Sequence, residues 1–127
     1  MTKTIILIPS RLGAVRLPNK PLLKINNKSL INYVYEVGQS TNIGEVYVAT
    51  GDQEILNEVQ KNNGKGILTN KTHLTGTDRI FEAYEKLNIN DVDYIINLQG
   101  DEPLIDINDI IKLNNLAISN NSEMATL

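Results

Sequence analysis

Three basic side chains lie close together in one segment near the N-terminus. Residues 8–22 read IPSRLGAVRLPNKPL, and the cations are Arg11, Arg16 and Lys20. Arginine offers phosphate oxygens a planar fork of donors, and lysine adds a mobile point charge, so the three could neutralise a triphosphate and stabilise a departing pyrophosphate. A solvated surface loop is the commoner explanation of three basic residues, and neither GxxxxGK[ST] nor GxGxxG is present. The pattern therefore raises a phosphate site as a hypothesis.

Two adjacent acids stand in a second segment, LQGDEP, at residues 98–103. Asp101 and Glu102 directly follow an apolar run. A carboxylate is a hard oxygen ligand that suits Mg²⁺, which binds few protein carboxylates and takes its remaining ligands from phosphates and water. The opening of a turn before Pro103 explains the pair equally well from spacing alone. The segment indicates either a metal ligand at Asp101 or a turn.

A third segment, HLTGTDR at residues 73–79, leads into a run with helical spacing. The sequence predicts a helix that begins at Thr77, and the free amides of its first turn would favour an anion. In the alternative, this is an ordinary helix start at which Asp78 favours the helix dipole and Arg79 points to solvent. His73 has no evident catalytic partner in the sequence and is equally well explained as a surface residue.

Apolar runs at two different periodicities predict the elements that must position these side chains. Continuous β-branched runs indicate buried strands, and i, i+3, i+4 spacing indicates helices. The predicted strands span 4–8, 45–50, 67–69, 92–98 and 124–127. Three of the predicted helices follow the cap candidates Ser29, Asp52 and Asp106 or Asn108. The helix that begins at Thr77 presents Ile80, Phe81, Tyr84 and Leu87 on one face.

This alternation of strand and helix predicts the α/β class, with a mostly parallel sheet and helices on both faces. Ligands of such sheets collect beyond the carboxyl ends of the strands, at the point where the strand order reverses. The charged segments follow the first and fourth predicted strands. We therefore expect function at residues 9–20 and 99–103.

Length and composition restrict the remaining possibilities. A chain of 127 residues, 41% of them hydrophobic, can bury one core and forms one domain. The absence of cysteine excludes disulfides and thiolate metal sites, and no run approaches membrane-spanning length, so a cytoplasmic location is expected. A net charge of −3 argues against generic nucleic-acid binding. The first 35 residues nevertheless carry six cations and no acid, which favours a local anion site.

The first basic segment resembles the N-terminal signature of the CMP-Kdo and CMP-sialate synthetases, a family of sugar cytidylyltransferases. The resemblance covers IPSRLGAVRLPNKPL. It implies that Arg11 and Lys20 bind the phosphates of CTP. Arg16 would help to hold the nucleotide or to order the loop, and Pro9 and Ser10 would line the base and ribose pocket.

The other two segments are similar to motifs of the same family. QGDEP resembles the signature of its Kdo-specific members, and this implies that Asp101 binds the catalytic Mg²⁺ and that Gln99 lies in the CTP site. HLTGTDR resembles H-x-S-G-T-[DE]-R, with Thr75 in place of the usual Ser, and this implies that Arg79 contacts the nucleotide.

One position departs from the family pattern. Family members usually have an Asp directly after the VAT of the second strand, where this chain has Gly51 followed by Asp52. Asp52 either takes over the role of that acid or only caps the helix that follows.

The resemblance implies the Rossmann-like nucleotide-diphospho-sugar transferase fold in truncated form. Residues 1–127 would be the CTP-binding half of a cytidylyltransferase domain whose C-terminal half is absent from this chain. The implied reaction transfers CMP from CTP to 3-deoxy-manno-octulosonate (Kdo), with Mg²⁺ as cofactor, and gives CMP-Kdo and pyrophosphate for lipopolysaccharide biosynthesis. The isolated chain is expected to be inactive, and the full-length protein is expected to be a homodimer.

Three alternatives stay open. A CMP-sialate-type cytidylyltransferase shares the first segment but does not usually carry QGDEP. A sugar-1-phosphate nucleotidyltransferase typically has a more glycine-rich loop before its Arg. An inactive, truncated homologue would retain nucleotide binding or only the fold. In every enzymatic case the partners are small molecules, with neither nucleic acid nor membrane among them.

Overall fold

Seven strands and three α-helices are formed in the part of the chain that the structure, a computed structural model, describes: residues 3–12, 20–70, 76–88, 92–98 and 124–126. The strands are β1 (Thr4–Ser10), β2 (Lys24–Ile25), β3 (Lys28–Ser29), β4 (Gly44–Thr50), β5 (Gly66–Leu68), β6 (Tyr94–Asn97) and β7 (Met124–Thr126). The helices are α1 (Leu30–Ser40), α2 (Gln53–Lys61) and α3 (Gly76–Leu87), and a 3-10 turn spans Lys20–Leu22.

One sheet of five parallel strands organises the molecule. Its order is β5-β4-β1-β6-β7, and β1 in the centre pairs with β4 on one side and β6 on the other. The chain moves outwards from β1 through β4 to β5, and then crosses back to add β6 and β7 on the opposite side. The parallel sheet confirms the predicted α/β class, and the strand order reverses between β1 and β6, the point at which open sheets of this class usually bind ligands.

Both faces of the sheet are covered, as predicted. Alternate residues of a strand point to opposite faces, so β1 supplies Ile6 and Ile8 to one layer and Ile5 and Leu7 to the other. Helices α1 and α2 pack on the first face, and α3 packs on the second. All seven residues of β1 are buried, which explains the unbroken apolar run Ile5–Ile8 within it.

The helix starts agree with the prediction to within one residue, but the expected caps do not form. Ser29 and Asp52 occupy the positions before α1 and α2, yet neither side chain bonds the first amides of its helix in the described structure. Helix α3 begins at Gly76, one residue before the predicted Thr77.

The predicted inner face of α3 is wrong at Phe81. Its side chain is 54% exposed, whereas the buried residues of the helix are Arg79, Ile80 and Ala83. The inner stripe is therefore rotated towards Arg79, because this arginine finds polar partners inside the protein. An apolar residue at Phe81 is left outside as a consequence.

The first strand continues two residues beyond its predicted end. Pro9 and Ser10 pair with Ala49 and Thr50 of β4. The backbone groups of alternate strand residues point to opposite neighbouring strands, and the Leu7 carbonyl accepts the Leu98 amide on the β6 side. The backbone of Pro9 therefore also faces β6, but proline has no N–H to donate. The β1–β6 pairing accordingly ends at Leu7 and Asn97.

A short hairpin connects the 3-10 turn to α1. The predicted turn at residues 26–28 is confirmed, and both Asn26 and Asn27 have positive φ, at 54° and 69°. Asparagine tolerates this conformation better than most residues, which suits a two-residue hairpin turn. The predicted terminal strand is confirmed as β7, whereas the predicted helix after Asp106 or Asn108 lies outside the described residues.

Candidate functional site

The carboxyl ends of three neighbouring strands form the edge at which the basic segment begins. Ser10 at the end of β1 stands level with Thr50 at the end of β4. On the other side, β6 ends beside Leu7, and the Leu98 amide donates to the Leu7 carbonyl at 3.1 Å. The chain therefore leaves towards the Arg11 and QGDEP segments from adjacent strands, at the point where the strand order reverses.

Arg11 is the first residue after β1, and its side chain is exposed at this edge. The next backbone amide, that of Leu12, donates a hydrogen bond of 2.9 Å to Oδ2 of Asp52. The backbone of Asp52 is held in turn, because its own amide donates to Thr50 Oγ1 at 3.1 Å. Asp52, for which the sequence left open a helix cap or a substitute for the family's Asp, therefore anchors the loop that carries Arg11.

Arg79 lies beneath the same edge and is only 4% exposed. Its Nε donates to Thr69 Oγ1 at 3.0 Å, Nη2 donates to the Asn70 carbonyl at 3.2 Å, and Nη1 makes a longer contact of 3.4 Å with the Ser10 carbonyl. Three of the five guanidinium donors thus join the last residue of β1 to the loop that follows β5. The alternative in which Arg79 points to solvent is wrong.

Electrostatic effects of opposite sign act on the Arg79 guanidinium. Burial lowers its pKa, the positive charge of Arg11 acts in the same direction, and the negative charges of Asp52 and Glu82 oppose both. An arginine stays protonated at any ordinary pH, so a positive charge is retained at this edge. Arg11, Asp52 and Arg79 therefore form one group of interacting charges.

The N-terminus of α3 packs closely against β1. A Cβ at Gly76 would lie 3.2 Å from Cγ of Pro9, tighter than most contacts, so glycine suits this close approach. The first turn of α3 is thereby brought beside Pro9, with Thr77 exposed. The helix start adds to the positive potential of this edge, at which the Arg11 side chain is also exposed.

Two buried oxygen atoms at the ends of β1 and β6 have no hydrogen-bond partner among the described residues. They are Oγ of Ser10, which is on the α1 and α2 side of the sheet with Ile8, and Oδ1 of Asn97, which is level with Leu7 on the α3 side. Leaving a buried polar atom without a partner costs about 1–3 kcal/mol. The Ser10 hydroxyl therefore lies buried at the end of β1, next to the edge where the resemblance expects the nucleotide.

The structure brings together four of the residues that the sequence singled out. Pro9, Ser10, Arg11 and Arg79 meet at the carboxyl edge. Lys20 begins the 3-10 turn that leads towards α1. Arg16, Gln99 and Asp101 lie outside the described residues.

Sequence reasoning missed the anchoring role of Asp52 and the burial of Arg79. Each residue also fits a routine position at the start of a helix, and no spacing rule distinguishes an acid that caps from one that reaches a loop 40 residues away. The usable signal for Arg79 was the HLTGTDR motif. For Asp52 it was the position at the end of a strand next to β1.

The described residues contain neither a cluster of metal-binding side chains nor a membrane-spanning helix. Within residues 3–12, 20–70, 76–88, 92–98 and 124–126, no three metal-binding side chains come together, and Asp101 is outside these ranges. None of the helices in that part of the chain is long and apolar enough to cross a bilayer.

The geometry agrees with solved structures. The fold superposes with a TM-score of 0.87 on CMP:2-keto-3-deoxy-manno-octonic acid synthetase complexed with CTP, which is 42% identical, over 94% of this chain and 48% of that chain. A cytidylyltransferase from Leptospira borgpetersenii superposes with a TM-score of 0.78 at 27% identity, over 94% of this chain and 50% of that one. The nucleotidyltransferase fold implied by the resemblance is thereby confirmed.

Sequence relatives agree with the structures. A 3-deoxy-manno-octulosonate cytidylyltransferase of Thermodesulfovibrio yellowstonii is 45% identical over 98% of this chain and 51% of its own length. An 8-amino-3,8-dideoxy-manno-octulosonate cytidylyltransferase of Shewanella frigidimarina is 46% identical over 82% of this chain and 43% of its own length. The chain thus spans about half the length of the curated relatives it matches. Residues 5–127 match the cytidylyltransferase family, and the chain belongs to that family.

Proposed function

We propose that this chain is the CTP-binding half of an enzyme that transfers CMP from CTP to Kdo, giving CMP-Kdo and pyrophosphate for lipopolysaccharide biosynthesis. The names of the 3-deoxy-manno-octulosonate relatives and the CTP-bound structural neighbour support the activity. The same comparisons support the domain assignment. Residues 1–127 correspond to about the length that is matched in each relative.

The observation that carries this proposal is the pairing of β1 with β6. It starts the Arg11 loop and the chain towards QGDEP from neighbouring parallel strands at the reversal point of the sheet. That point is where open α/β sheets bind nucleotides. Arg11 supplies an exposed cation there, and Ser10 supplies a polar group that has no partner among the described residues.

The proposed chemistry is a direct displacement at the α-phosphorus of CTP. The anomeric oxygen of Kdo forms the new P–O bond, the bond to pyrophosphate breaks, and the hydroxyl proton passes to solvent. Arg11 and Lys20 neutralise the phosphates and stabilise the charge that develops on the leaving group. No covalent enzyme intermediate is required.

Mg²⁺ is the cofactor we propose, with Asp101 as its protein ligand. The donor chemistry of the chain fits a hard divalent ion, because it contains no cysteine and a single histidine, so oxygen ligands dominate. When bound, the ion would polarise the phosphate oxygens and offset their charge. Gln99, Arg16 and Arg79 are the further nucleotide contacts that the family resemblance implies.

The sugar acceptor has a second candidate. Relatives named for Kdo and for 8-amino-3,8-dideoxy-manno-octulosonate match this chain at 45% and 46% identity, so this half of the protein does not favour one over the other. The 8-amino sugar is therefore a real alternative substrate. Comparison of pyrophosphate release with each sugar would decide between them.

Binding selectivity tests the cytidylyl assignment most directly. Titration calorimetry with CTP, UTP, ATP and GTP in the presence of Mg²⁺ should give the tightest binding for CTP. Tightest binding of a purine nucleotide would refute the assignment. The homodimer and the cytoplasmic location stay predictions, and light scattering of the full-length protein would test the former.

A further inference from the structure

Two side chains, each at the start of a different helix, contact the backbone on either side of Arg11. On one side, the Leu12 amide donates to Asp52 Oδ2 at 2.9 Å. On the other side, the Ser10 carbonyl lies 3.4 Å from Nη1 of Arg79. An acceptor and a donor therefore bracket the residue whose side chain faces the proposed phosphate site.

Asp52 itself is rigidly placed. Its amide donates to Thr50 Oγ1, and its carbonyl accepts the amides of Ile55 and Leu56 at 3.1 and 3.2 Å. An aspartate in this position usually bonds the first amides of its own helix, which is worth about 1 kcal/mol. Here the described contacts include no such cap, and one carboxylate oxygen is directed to the loop after β1 instead.

We infer that Asp52 is a positioning residue that holds the Leu12 amide, and thereby the Arg11 side chain, in the geometry that binds the phosphates of CTP. This inference rests on the proposed function, because it requires Arg11 to contact the nucleotide. Asp52 itself does not touch the substrate in this account. It acts through the backbone of the loop.

The sign of the electrostatic effect makes the inference testable. A carboxylate close to a triphosphate repels it, so on charge alone the removal of Asp52 would tighten CTP binding. On the positioning account, removal weakens binding, since Arg11 loses its fixed backbone and must be ordered when CTP binds. The neighbouring charge of Arg79, which interacts with Asp52, reduces the repulsion that the site must tolerate.

Three variants separate position from charge. Asp52→Ala removes both, Asp52→Asn keeps an oxygen that can accept the Leu12 amide but removes the charge, and Glu54→Ala removes the same charge from an exposed residue in the first turn of α2. Calorimetry with CTP should show binding weakened about 10-fold or more in Asp52→Ala, and within about 3-fold of wild type in Asp52→Asn and Glu54→Ala. Tighter binding in both Asp52 variants would overturn the inference.

A double-mutant cycle shows whether Asp52 acts through Arg11. If it does, Asp52→Ala should have little further effect on CTP affinity once Arg11 is replaced by Ala. Equal fold losses from Asp52→Ala in the wild-type and Arg11→Ala backgrounds would overturn the inference. CTP binding that is lost in Arg11→Ala but unchanged in Asp52→Ala would overturn it while leaving the proposed function intact.

Amide exchange tests the contact without nucleotide. In the free protein, the Leu12 amide should exchange slowly in wild type and Asp52→Asn, and at least about 10-fold faster in Asp52→Ala. The NMR spectrum in which the exchange is followed also shows whether each variant is folded. Failure of wild type to bind CTP would overturn the proposed function and the ligand role together, whereas unchanged Leu12 exchange in Asp52→Ala would overturn the positioning contact alone.

Discussion

Nε of Arg79 donates to Oγ1 of Thr69 across 3.0 Å, and both side chains are buried. Thr69 is attached to the sheet through its amide, which donates to the Thr50 carbonyl at 2.8 Å. The guanidinium therefore connects α3 to the ends of β4 and β5 in a place that water reaches poorly. Removing one partner of such a charged hydrogen bond destabilises the protein strongly, because the remaining polar groups stay buried without a hydrogen-bond partner.

Arg79→Ala should therefore destabilise the protein by about 2–4 kcal/mol, measured by chemical denaturation. Arg79→Lys should recover only part of this loss, since one ammonium cannot reproduce a planar fork that reaches three acceptors. Lys86→Ala is the matched control on the same helix. It removes an exposed cation that pairs with Glu82, and a loss below about 1 kcal/mol is expected. Equal losses in Arg79→Ala and Lys86→Ala would contradict the structural role.

The contrast between Arg79 and Ile6 shows what sequence reasoning could provide. Short apolar runs rich in β-branched residues, such as Ile5–Ile8 before Pro9, indicate strands that are buried on both faces. The fold class, the approximate positions of the strands and the edge that carries the site were therefore predictable. Arg79 could not be placed in the same way. Its burial depends on acceptors at Thr69 and Asn70, which only the tertiary fold brings within reach.

Strand ends and short elements show a second limit. The sequence predicted that β1 ends before Pro9, but its pairing with β4 continues to Ser10. Proline is tolerated there because its missing N–H faces β6, with which the pairing already ends at Leu7. The two-residue strands of the hairpin carry too few residues to show periodicity. Only their turn, Asn26-Asn27, was visible in the sequence.

Close backbone packing at the start of β4 gives a second stability prediction. A Cβ at Gly44 would lie 1.8 Å from the Thr4 carbonyl oxygen, and this oxygen belongs to the central strand with which Gly44 pairs. Gly44→Ala should destabilise the protein by more than about 2 kcal/mol, because β1 and β4 must separate locally to admit the methyl group.

Gly38→Ala is the control for Gly44→Ala. Its Cβ would meet side-chain methyl groups, those of Val46 at 3.1 and 3.3 Å and one of Ile6 at 3.7 Å, and alanine is the better helix former by about 0.5–1 kcal/mol. The midpoint of thermal unfolding, Tm, should therefore be much lower in Gly44→Ala than in Gly38→Ala. The reverse order would show that the pairing at Gly44 is looser than described.

A pH dependence is expected from Tyr47. Burial raises the pKa of its phenol to about 12, and the hydrogen bond to Glu45 adds to this effect. Folding thus favours the protonated phenol, so its stabilising effect is complete below the unfolded pKa near 10 and is lost as pH rises through about 12. In Tyr47→Phe, the free energy of unfolding should fall less steeply between these values.

Absorbance of the phenolate provides the direct check on Tyr47. One of the five tyrosines should ionise late in the wild-type protein, and that late step should disappear in Tyr47→Phe. Glu45→Gln should move the step to lower pH without abolishing it, because burial, the larger cause, is retained. A wild-type titration without any late step would contradict the assignment.

Metal dependence should separate the two kinds of residue in the proposed CTP site. Arg11→Ala and Lys20→Ala should weaken CTP binding about 10-fold or more with or without Mg²⁺, because a cation that contacts phosphate needs no metal to do so. Asp101→Asn should abolish only the gain in affinity that Mg²⁺ provides, since the carboxylate acts through the ion. Lys61→Ala, which removes an exposed cation from the far end of α2, should leave both affinities within about 2-fold of wild type. Calorimetry in EDTA and in Mg²⁺ measures all four variants, and an equal loss for Asp101→Asn under both conditions would count against metal ligation.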